Sequence, residues 1–118
     1  MDNKLFDSEL KIMEIIWSCE PVSAKQLSLT ANRSIGWNKN TTYTVVKKLI
    51  EKGVIRRVEP GFICTSILKR EDVRRSETEA LIHKIYNGSK KALFSALIGD
   101  ETLSEDEIKE LRSLIEKR

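Results

Sequence analysis

Apolar residues at helical spacing predict two short helices in the first third of the chain. On the first helix they share one face, at Leu10, Met13, Ile16 and Trp17. We expect this helix to begin at Asp7 or Ser8, since either side chain can accept hydrogen bonds from free backbone N–H groups, and to end within residues 19–21. The second helix is expected to be capped by Ser23, with residues 32–36 forming a connection after it. Its buried face is expected to hold Ala24, Leu27 and Ala31.

The clearest apolar stripe belongs to a third helix, predicted from about Asn38 to Lys52 and ended by Gly53. The stripe comprises Thr42, Val45, Val46, Leu49 and Ile50. Two runs of β-prone residues follow, 54–58 and 62–65, and the Pro-Gly turn between them predicts a short hairpin. Three helices and a hairpin in this order are typical of a winged helix-turn-helix, so we expect a mainly α fold that begins with that unit.

Helical periodicity returns after the hairpin and continues to the end of the chain, where we expect three more helices. Ser89 and Ser104 can cap two of them, and Ser104 with Glu107 forms a capping-box pattern. We therefore divide the chain into a winged helix-turn-helix DNA-binding domain over residues 1–69 and a helical dimerisation domain over residues 70–118.

The dimer is expected because a helical segment of this size rarely buries enough apolar surface alone. A second copy of the chain would supply the missing core, as in obligate homodimers. The alternative is that these helices pack back on their own N-terminal domain. The dimerisation residues indicated by the apolar pattern are Val73, Leu81, Ile85, Leu93, Leu97, Ile108, Leu111 and Ile115.

Charge is distributed unevenly along the chain. The 21 Lys and Arg against 18 Asp and Glu give a net charge of only +3. Residues 22–58, however, contain eight basic residues and one acid, a local net charge of +7, which leaves −4 for the remainder. Such asymmetry points to a polyanionic partner such as DNA or RNA. A solvated basic face that binds nothing is the alternative.

The polar side chains of the third helix are suited to reading DNA. Asn can pair bidentately with adenine, and Thr offers a hydroxyl and a methyl group for thymine. The residues predicted to read bases are Asn40, Thr41, Tyr43 and Thr44. Basic and hydroxyl side chains around them are better placed for phosphates, which fix register without carrying sequence information. The predicted phosphate contacts are Ser23, Lys25, Lys39, Lys47, Lys48, Arg56 and Arg57. The alternative is a winged-helix module that binds a protein.

Nothing in the sequence points to an enzyme, a metal site or a cofactor. The single histidine, His83, and two distant cysteines, Cys19 and Cys64, cannot form a usual four-ligand zinc site, and no Ser/His/Asp set or paired catalytic carboxylates are evident. The N-terminus lacks a signal-peptide pattern, and no run approaches the roughly 18 apolar residues of a membrane span. We expect a cytoplasmic protein whose two thiols are reduced, buried and structural.

Several segments resemble the penicillinase repressors of the BlaI/MecI type. The similarity begins with Asp7-Ser8-Glu9-Leu10, followed by Met13 and Trp17, and continues with Pro21-Val22-Ser23-Ala24 before the second helix. It includes Trp37-Asn38-Lys39-Asn40-Thr41, Leu49-Ile50-Glu51-Lys52-Gly53 and, near the C-terminus, Asp106-Glu107-Ile108-Lys109-Glu110-Leu111. The order and spacing of these segments cover essentially the whole chain.

The resemblance implies a homodimeric repressor that binds a palindromic operator, with one N-terminal domain on each half-site and the C-terminal helices forming the dimer. It also implies control of β-lactam resistance genes, and release when a membrane sensor-protease system causes cleavage in the C-terminal domain. The family's Asn-Phe cleavage point would fall near Ala96 and Leu97. A repressor of the same fold that responds to a different signal is the alternative.

Some positions depart from the family's pattern. Lys39-Asn40 stands where Pro-Lys is frequent, Lys48 where an arginine is usual, and Gly61-Phe62 where the wing often has Gly-Arg. A lysine lacks the guanidinium fork, so no bidentate contact is expected at Lys48. No cysteine follows Cys64, which argues against the copper-sensing branch of the family.

Overall fold

A computed structural model describes residues 4–99 and 103–117 of the chain. In chain order the elements are α1 (Asp7–Cys19), β1 (Val22–Ser23), α2 (Ala24–Ile35), α3 (Lys39–Glu51), β2 (Ile55–Val58), β3 (Ile63–Ser66), α4 (Arg70–Tyr86), α5 (Lys90–Ile98) and α6 (Glu105–Glu116). The mainly α winged-helix architecture expected from the sequence is confirmed. Within the described residues, none of the helices has the length and apolar character needed to cross a bilayer.

The chain forms two compact units, residues 1–76 and residues 77–118. The first unit contains α1 to α3, the sheet and the beginning of α4. The division therefore falls inside α4, some residues after the boundary at residues 69 and 70 that the sequence suggested. Each unit is described by itself below.

The helix ends of the first unit follow local capping chemistry. The cap of α1 is Phe6, not Asp7 or Ser8 as predicted, because the Glu9 carboxylate reaches back to accept the Phe6 backbone N–H at 2.8 Å. The cap of α2 is confirmed as Ser23, whose hydroxyl accepts the backbone N–H of Gln26 at 3.1 Å.

The predicted connection over residues 32–36 was wrong, because α2 continues to Ile35. Polar residues on its exposed side are tolerated there, and the Ser34 hydroxyl donates to the Thr30 carbonyl within the helix. Gly36 ends α2 in the left-handed region, with φ +72°, and its N–H donates to the Asn32 carbonyl at 3.1 Å.

The predicted hairpin is present as β2 and β3, but the sheet has a third strand that the sequence did not indicate. The strand order is β1-β3-β2 and every pairing is antiparallel, with Val22 opposite Cys64 and Arg57 opposite Cys64 on the other side. Strand β1 has only two residues, too few to show an alternating pattern. Its pairing fixes the base of the wing against the start of α2.

The core of the first unit lies between the three helices and the sheet. Its fully buried side chains include Ile12, Met13, Ile16, Leu27, Val46, Leu49, Ile55 and Cys64. The predicted stripe of α3 is confirmed, since Thr42, Val45, Val46 and Leu49 are buried and Ile50 packs against the core. Burial of this stripe fixes which face of α3 is left to solvent.

The second unit has well-capped helices and little buried surface. Ser89 caps α5 and Ser104 caps α6 with Glu107 completing the capping box, as predicted. No side chain of α5 or α6, both of which lie in the described residues, is buried within the chain.

Candidate nucleic-acid interface

The outward face of α3 is polar and fully accessible. The helix starts at the cap residue Asn38, whose side-chain oxygen accepts the Thr41 backbone N–H at 2.8 Å. The exposed side chains of this face are Asn40, Thr41, Thr44, Lys47, Lys48 and, at the C-terminal end, Glu51. Because the buried stripe occupies the opposite side, this face can approach a groove without disturbing the core.

One threonine of this face is held in a fixed orientation. The Thr44 hydroxyl donates to the Asn40 carbonyl at 2.8 Å, one helical turn earlier. With its proton engaged, Thr44 presents a methyl group and an accepting oxygen to solvent. Asn40 keeps its side-chain amide free of any described intramolecular hydrogen bond, so it can both donate and accept.

Tyr43 differs from the other residues predicted to read bases, because it is half-buried. Its ring meets the ring of Phe62 edge to face, with centroids 5.9 Å apart and planes at 86°. The Lys39 ammonium lies 5.8 Å from the Tyr43 ring centre. Tyr43 therefore joins the first turns of α3 to the wing, and the structure gives it a packing contact that the sequence did not suggest.

The wing continues this contact through a stacked arginine. The Arg57 guanidinium carbon lies 3.7 Å from the centre of the Phe62 ring, the same ring that meets Tyr43. Phe62 has φ +50°, an uncommon backbone conformation for a bulky residue, and its carbonyl accepts the Ala24 N–H at 2.9 Å. The contacts with Arg57 and Tyr43 and this hydrogen bond hold Phe62 in place.

At the wing tip, Glu59 forms an ion pair with Arg57 through Nε and also accepts the backbone N–H of Phe62 at 3.2 Å. The hydrogen bond from Arg57, followed by the Phe62 backbone N–H, lowers the pKa of Glu59 below its ordinary value. This ion pair was not predicted from the sequence. The sequence signal that could have indicated it is the position of Glu59 two residues after Arg57 in the hairpin.

The remaining residues predicted to contact phosphates lie at the start of α2 and on β2. Lys25 and Arg56 are exposed, at the start of α2 and on β2. Ser23 is half-buried and its hydroxyl oxygen accepts the Gln26 N–H at the start of α2, which leaves the hydroxyl proton available to donate to a phosphate. The described structure thus brings basic groups to α2, α3 and the wing.

Two ion pairs fix elements that surround this face. The Glu9 carboxylate, only 3% exposed, accepts the Lys52 ammonium at 2.7 Å and thereby ties the end of α3 to the first turn of α1. Arg70 at the start of α4 lies 3.3 Å from the Glu14 carboxylate and 5.7 Å from the Trp17 ring centre. Neither pair was foreseen, because partners 43 or 56 residues apart leave no local sequence signal.

The predicted dimerisation residues fall into two groups. In the second unit Leu81, Ile85, Leu97 and Ile115 are about half exposed, and Leu93, Ile108 and Leu111 are partly buried. A cavity of about 370 Å³ between α5 and α6 is lined by Phe94, Ile98, Ile108, Leu111, Arg112, Ile115 and Glu116. Val73 is different: it is 2% exposed and belongs to the core of the first unit, so it is not available to a second chain.

The cysteines and the histidine also have clear positions. Cys64 is fully buried, and burial raises the pKa of its thiol. Cys19 is exposed at the end of α1, so the expectation that both thiols are buried was wrong for this residue. His83 lies on the exposed side of α4. Among the residues that the structure describes, no group of His, Cys, Asp and Glu could hold a metal ion.

A winged-helix unit with an exposed, lysine-bordered polar face on its third helix defines a protein of the DNA-binding regulator class. The chain belongs to the penicillinase repressor family, whose sequence profile matches residues 5–117. Members of this family are regulators and not enzymes.

Individual relatives agree with this family. The chain is 30% identical over 123 aligned positions to the methicillin resistance regulatory protein MecI of Staphylococcus aureus strain N315, with all of both chains covered. It is 23% identical to the penicillinase repressor of Bacillus licheniformis, over 97% of this chain and 91% of that one. The solution structure of the DNA-binding domain of the repressor BlaI superimposes with a TM-score of 0.54 and 24% identity, covering 58% of this chain and 87% of that chain. This last similarity shows the fold.

Proposed function

We propose that this chain is a sequence-specific transcriptional repressor that binds a palindromic operator as a homodimer. The observation that carries the proposal is the exposed face of α3, which presents Asn40, Thr41 and Thr44, with Lys47 and Lys48 about one turn after Thr44. A recognition helix needs such a face, and the family to which the chain belongs consists of repressors.

The residues divide by role within the proposed complex. Asn40, Thr41 and Thr44 read base edges in the major groove, where the amide, hydroxyl and methyl groups find distinct partners. Tyr43, the fourth residue predicted to read bases, is half-buried against Phe62 of the wing, so only its exposed part can reach a base. The proposed phosphate contacts are made by Lys25, Lys39, Lys47, Lys48, Arg56 and Arg57, and by the Ser23 hydroxyl at the start of α2.

The dimer is proposed because α5 and α6 leave their apolar side chains without a buried environment inside the chain. Leu81, Ile85, Leu97 and Ile115 are about half exposed, and a second copy of the chain would cover them. Two-fold pairing places two recognition helices on half-sites one helical turn of DNA apart, or a multiple of it, about 34–36 Å.

Repression follows from occupancy, since a bound dimer at a promoter excludes the polymerase. The relatives are a methicillin resistance regulator and a penicillinase repressor, which supports β-lactam resistance genes as the targets. Release by a membrane sensor-protease system is part of the proposal, with cleavage near Ala96 and Leu97. Both residues are exposed but lie inside α5, so cleavage there requires α5 to open. An operator target places the proposed site of action in the cytoplasm.

The DNA contacts are tested by fluorescence anisotropy with a labelled duplex of random sequence, titrated at several salt concentrations. Lys47→Ala and Lys48→Ala are each expected to weaken binding and to reduce the salt slope by about 0.9 for every phosphate that the variant no longer neutralises. Lys109→Ala, which removes the same charge from an exposed site on α6, is the matched control and is expected to bind like the parent chain. Unchanged affinity and slope in both α3 variants would show that α3 is not the recognition helix.

The dimer is tested by sedimentation at micromolar concentration. The chain has a mass of 13.6 kDa, and a species of twice that mass is expected. Ile115→Asp places a charge in the proposed interface and is expected to shift the equilibrium to monomer, whereas Glu110→Ala on the exposed side of the same helix is not. A single 13.6 kDa species for the parent chain would contradict the dimer.

A further inference from the structure

The wing tip gathers hydrogen-bond donors around one negative charge. Arg57 donates through Nε to one Glu59 oxygen, and the Phe62 backbone N–H donates to the other at 3.2 Å. A guanidinium and a backbone N–H converging on two oxygens are also the groups that bind a phosphate. The Glu59 carboxylate thus occupies a position with the chemistry of an anion site.

The site is rigid where it meets the recognition helix. The Arg57 guanidinium stacks on the Phe62 ring at 3.7 Å, and the same ring also meets Tyr43 of α3 edge to face and packs against the core of the first unit. Arg57 is therefore held in advance beside the first turns of α3.

The ion pair that fills the site is easily exchanged. The Arg57 and Glu59 side chains are 48% and 55% exposed, and ion pairs at such accessible positions contribute little net free energy. An arginine–phosphate pair can be bidentate and gains from the surrounding positive charge of the wing and α3. A DNA phosphate has the charge and the oxygen geometry to take the place of the carboxylate.

We propose that Glu59 is a built-in competitor of DNA: in the free protein its carboxylate occupies the place beside Arg57 and the Phe62 N–H that a DNA phosphate takes in the complex, and it leaves that place when DNA binds. The inference rests on the proposed DNA-binding function and adds to it a residue that lowers affinity. Glu59 competes with the phosphate for Arg57 and the Phe62 N–H, so the ion pair of the free protein must break each time DNA binds.

The test is a double-mutant cycle on DNA affinity, measured by anisotropy with a random-sequence duplex at one fixed salt concentration. Glu59→Gln keeps the size of the side chain and removes its charge, and we expect about two- to five-fold tighter binding, the range of an exposed ion pair. In an Arg57→Ala background the same change is expected to have less than half of that effect on a logarithmic scale, because the group for which Glu59 competes is gone. Glu110→Gln on α6 removes an equal charge elsewhere and is expected to leave affinity unchanged.

Four results would overturn the proposal. Equal increases in affinity from Glu59→Gln with and without Arg57 would show a general charge effect and no shared site. No increase, or weaker binding, would show that Glu59 does not compete with DNA or instead organises the wing for it. If Lys47→Ala and Lys48→Ala weaken binding while the effect of Glu59→Gln does not depend on Arg57, the competition by Glu59 is refuted and the proposed DNA-binding function is retained. A parent chain that binds no duplex would overturn both.

Discussion

The buried ion pair between Glu9 and Lys52 gives a quantitative prediction about how the recognition helix is held. Lys52 caps the C-terminus of α3, and its ammonium lies 2.7 Å from a Glu9 oxygen and 4.6 Å from the centre of the Phe6 ring. Replacing Lys52 by Met keeps much of the aliphatic stem but leaves the Glu9 carboxylate, 3% exposed, without its counter-charge. Glu9 then retains only the Phe6 backbone N–H as a described donor.

Breaking one partner of a fully buried pair costs about 3–5 kcal/mol. Because the Lys52 side chain is 35% exposed, water already screens part of this interaction, and we expect Lys52→Met to lower the free energy of unfolding by about 2 kcal/mol. For a unit of this size that corresponds to a fall in Tm of roughly 10 °C. Glu9→Gln leaves no buried charge and still accepts the Phe6 N–H, so a smaller loss of about 1 kcal/mol is expected.

The assay is urea unfolding followed by far-UV circular dichroism, with Lys11→Met as an exposed control that should change stability by less than about 0.5 kcal/mol. The sign of the coupling is the decisive part. Glu9→Gln in the Lys52→Met background removes the stranded charge, so the double variant is expected to be more stable than Lys52→Met alone. Additive losses of stability would refute the reasoning, since they would mean that the carboxylate does not depend on Lys52.

Three further predictions concern the fold and its thiols. Gly36→Ala is expected to lower the unfolding free energy of the first unit by about 1 kcal/mol in chemical unfolding, because φ is +72° at this position although no atom obstructs a Cβ. Gly36→Asn is expected to cost less, since Asn adopts this conformation more readily; equal losses for the two variants would contradict a backbone origin of the effect. Val73→Ala is expected to lower the unfolding free energy by about 2 kcal/mol and Ile85→Ala to leave the first unit unaffected, since only Val73 lies in its core; the reverse order would contradict this placement. In native protein, iodoacetamide is expected to modify Cys19 and spare Cys64, as peptide mass spectrometry would show; rapid modification of Cys64 would contradict its burial. Because burial raises the folded-state pKa of Cys64 above its unfolded value, the stability that the neutral thiol contributes is present below the unfolded pKa and is lost as the pH rises through the folded pKa.

The local parts of the fold were predictable from the sequence because their causes are local. The stripe from Thr42 to Ile50 sets the orientation of α3 directly, and Ser23, Ser89 and Ser104 cap the helices that follow them. The first helix begins at Asp7, one of the two predicted starts, but its cap is Phe6, because the Glu9 carboxylate inside the first turn accepts the N–H of Phe6. Strand β1 was missed because its two residues form a strand only by pairing with β3.

The candidate site was predictable in its exposed part and not in its contacts. Charge and helix position were enough to select Asn40, Thr41, Lys47 and Lys48, which need nothing but solvent around them. The stacking of Arg57 on Phe62 and the edge-to-face contact of Phe62 with Tyr43 depend on how the hairpin and α3 come together, and residues distant along the chain carry no periodic signal of such a contact. Val73 was assigned to the dimer but lies in the core of the first unit. Helical spacing predicts that such an apolar residue is buried, but it does not predict which part of the structure buries it.

The central claim is that a pair of these chains recognises a specific DNA sequence through α3. It is tested most directly by selecting binding sites from a library of random duplexes with the purified chain and sequencing the enriched pool. The expected result is an inverted repeat whose half-site centres lie about 10 base pairs, or a multiple of that, apart. The same selection with Asn40→Ala or Thr41→Ala is expected to lose preference within each half-site while its spacing persists. A pool that shows no enriched sequence, or the same half-site preference for the parent chain and both variants, would contradict the claim.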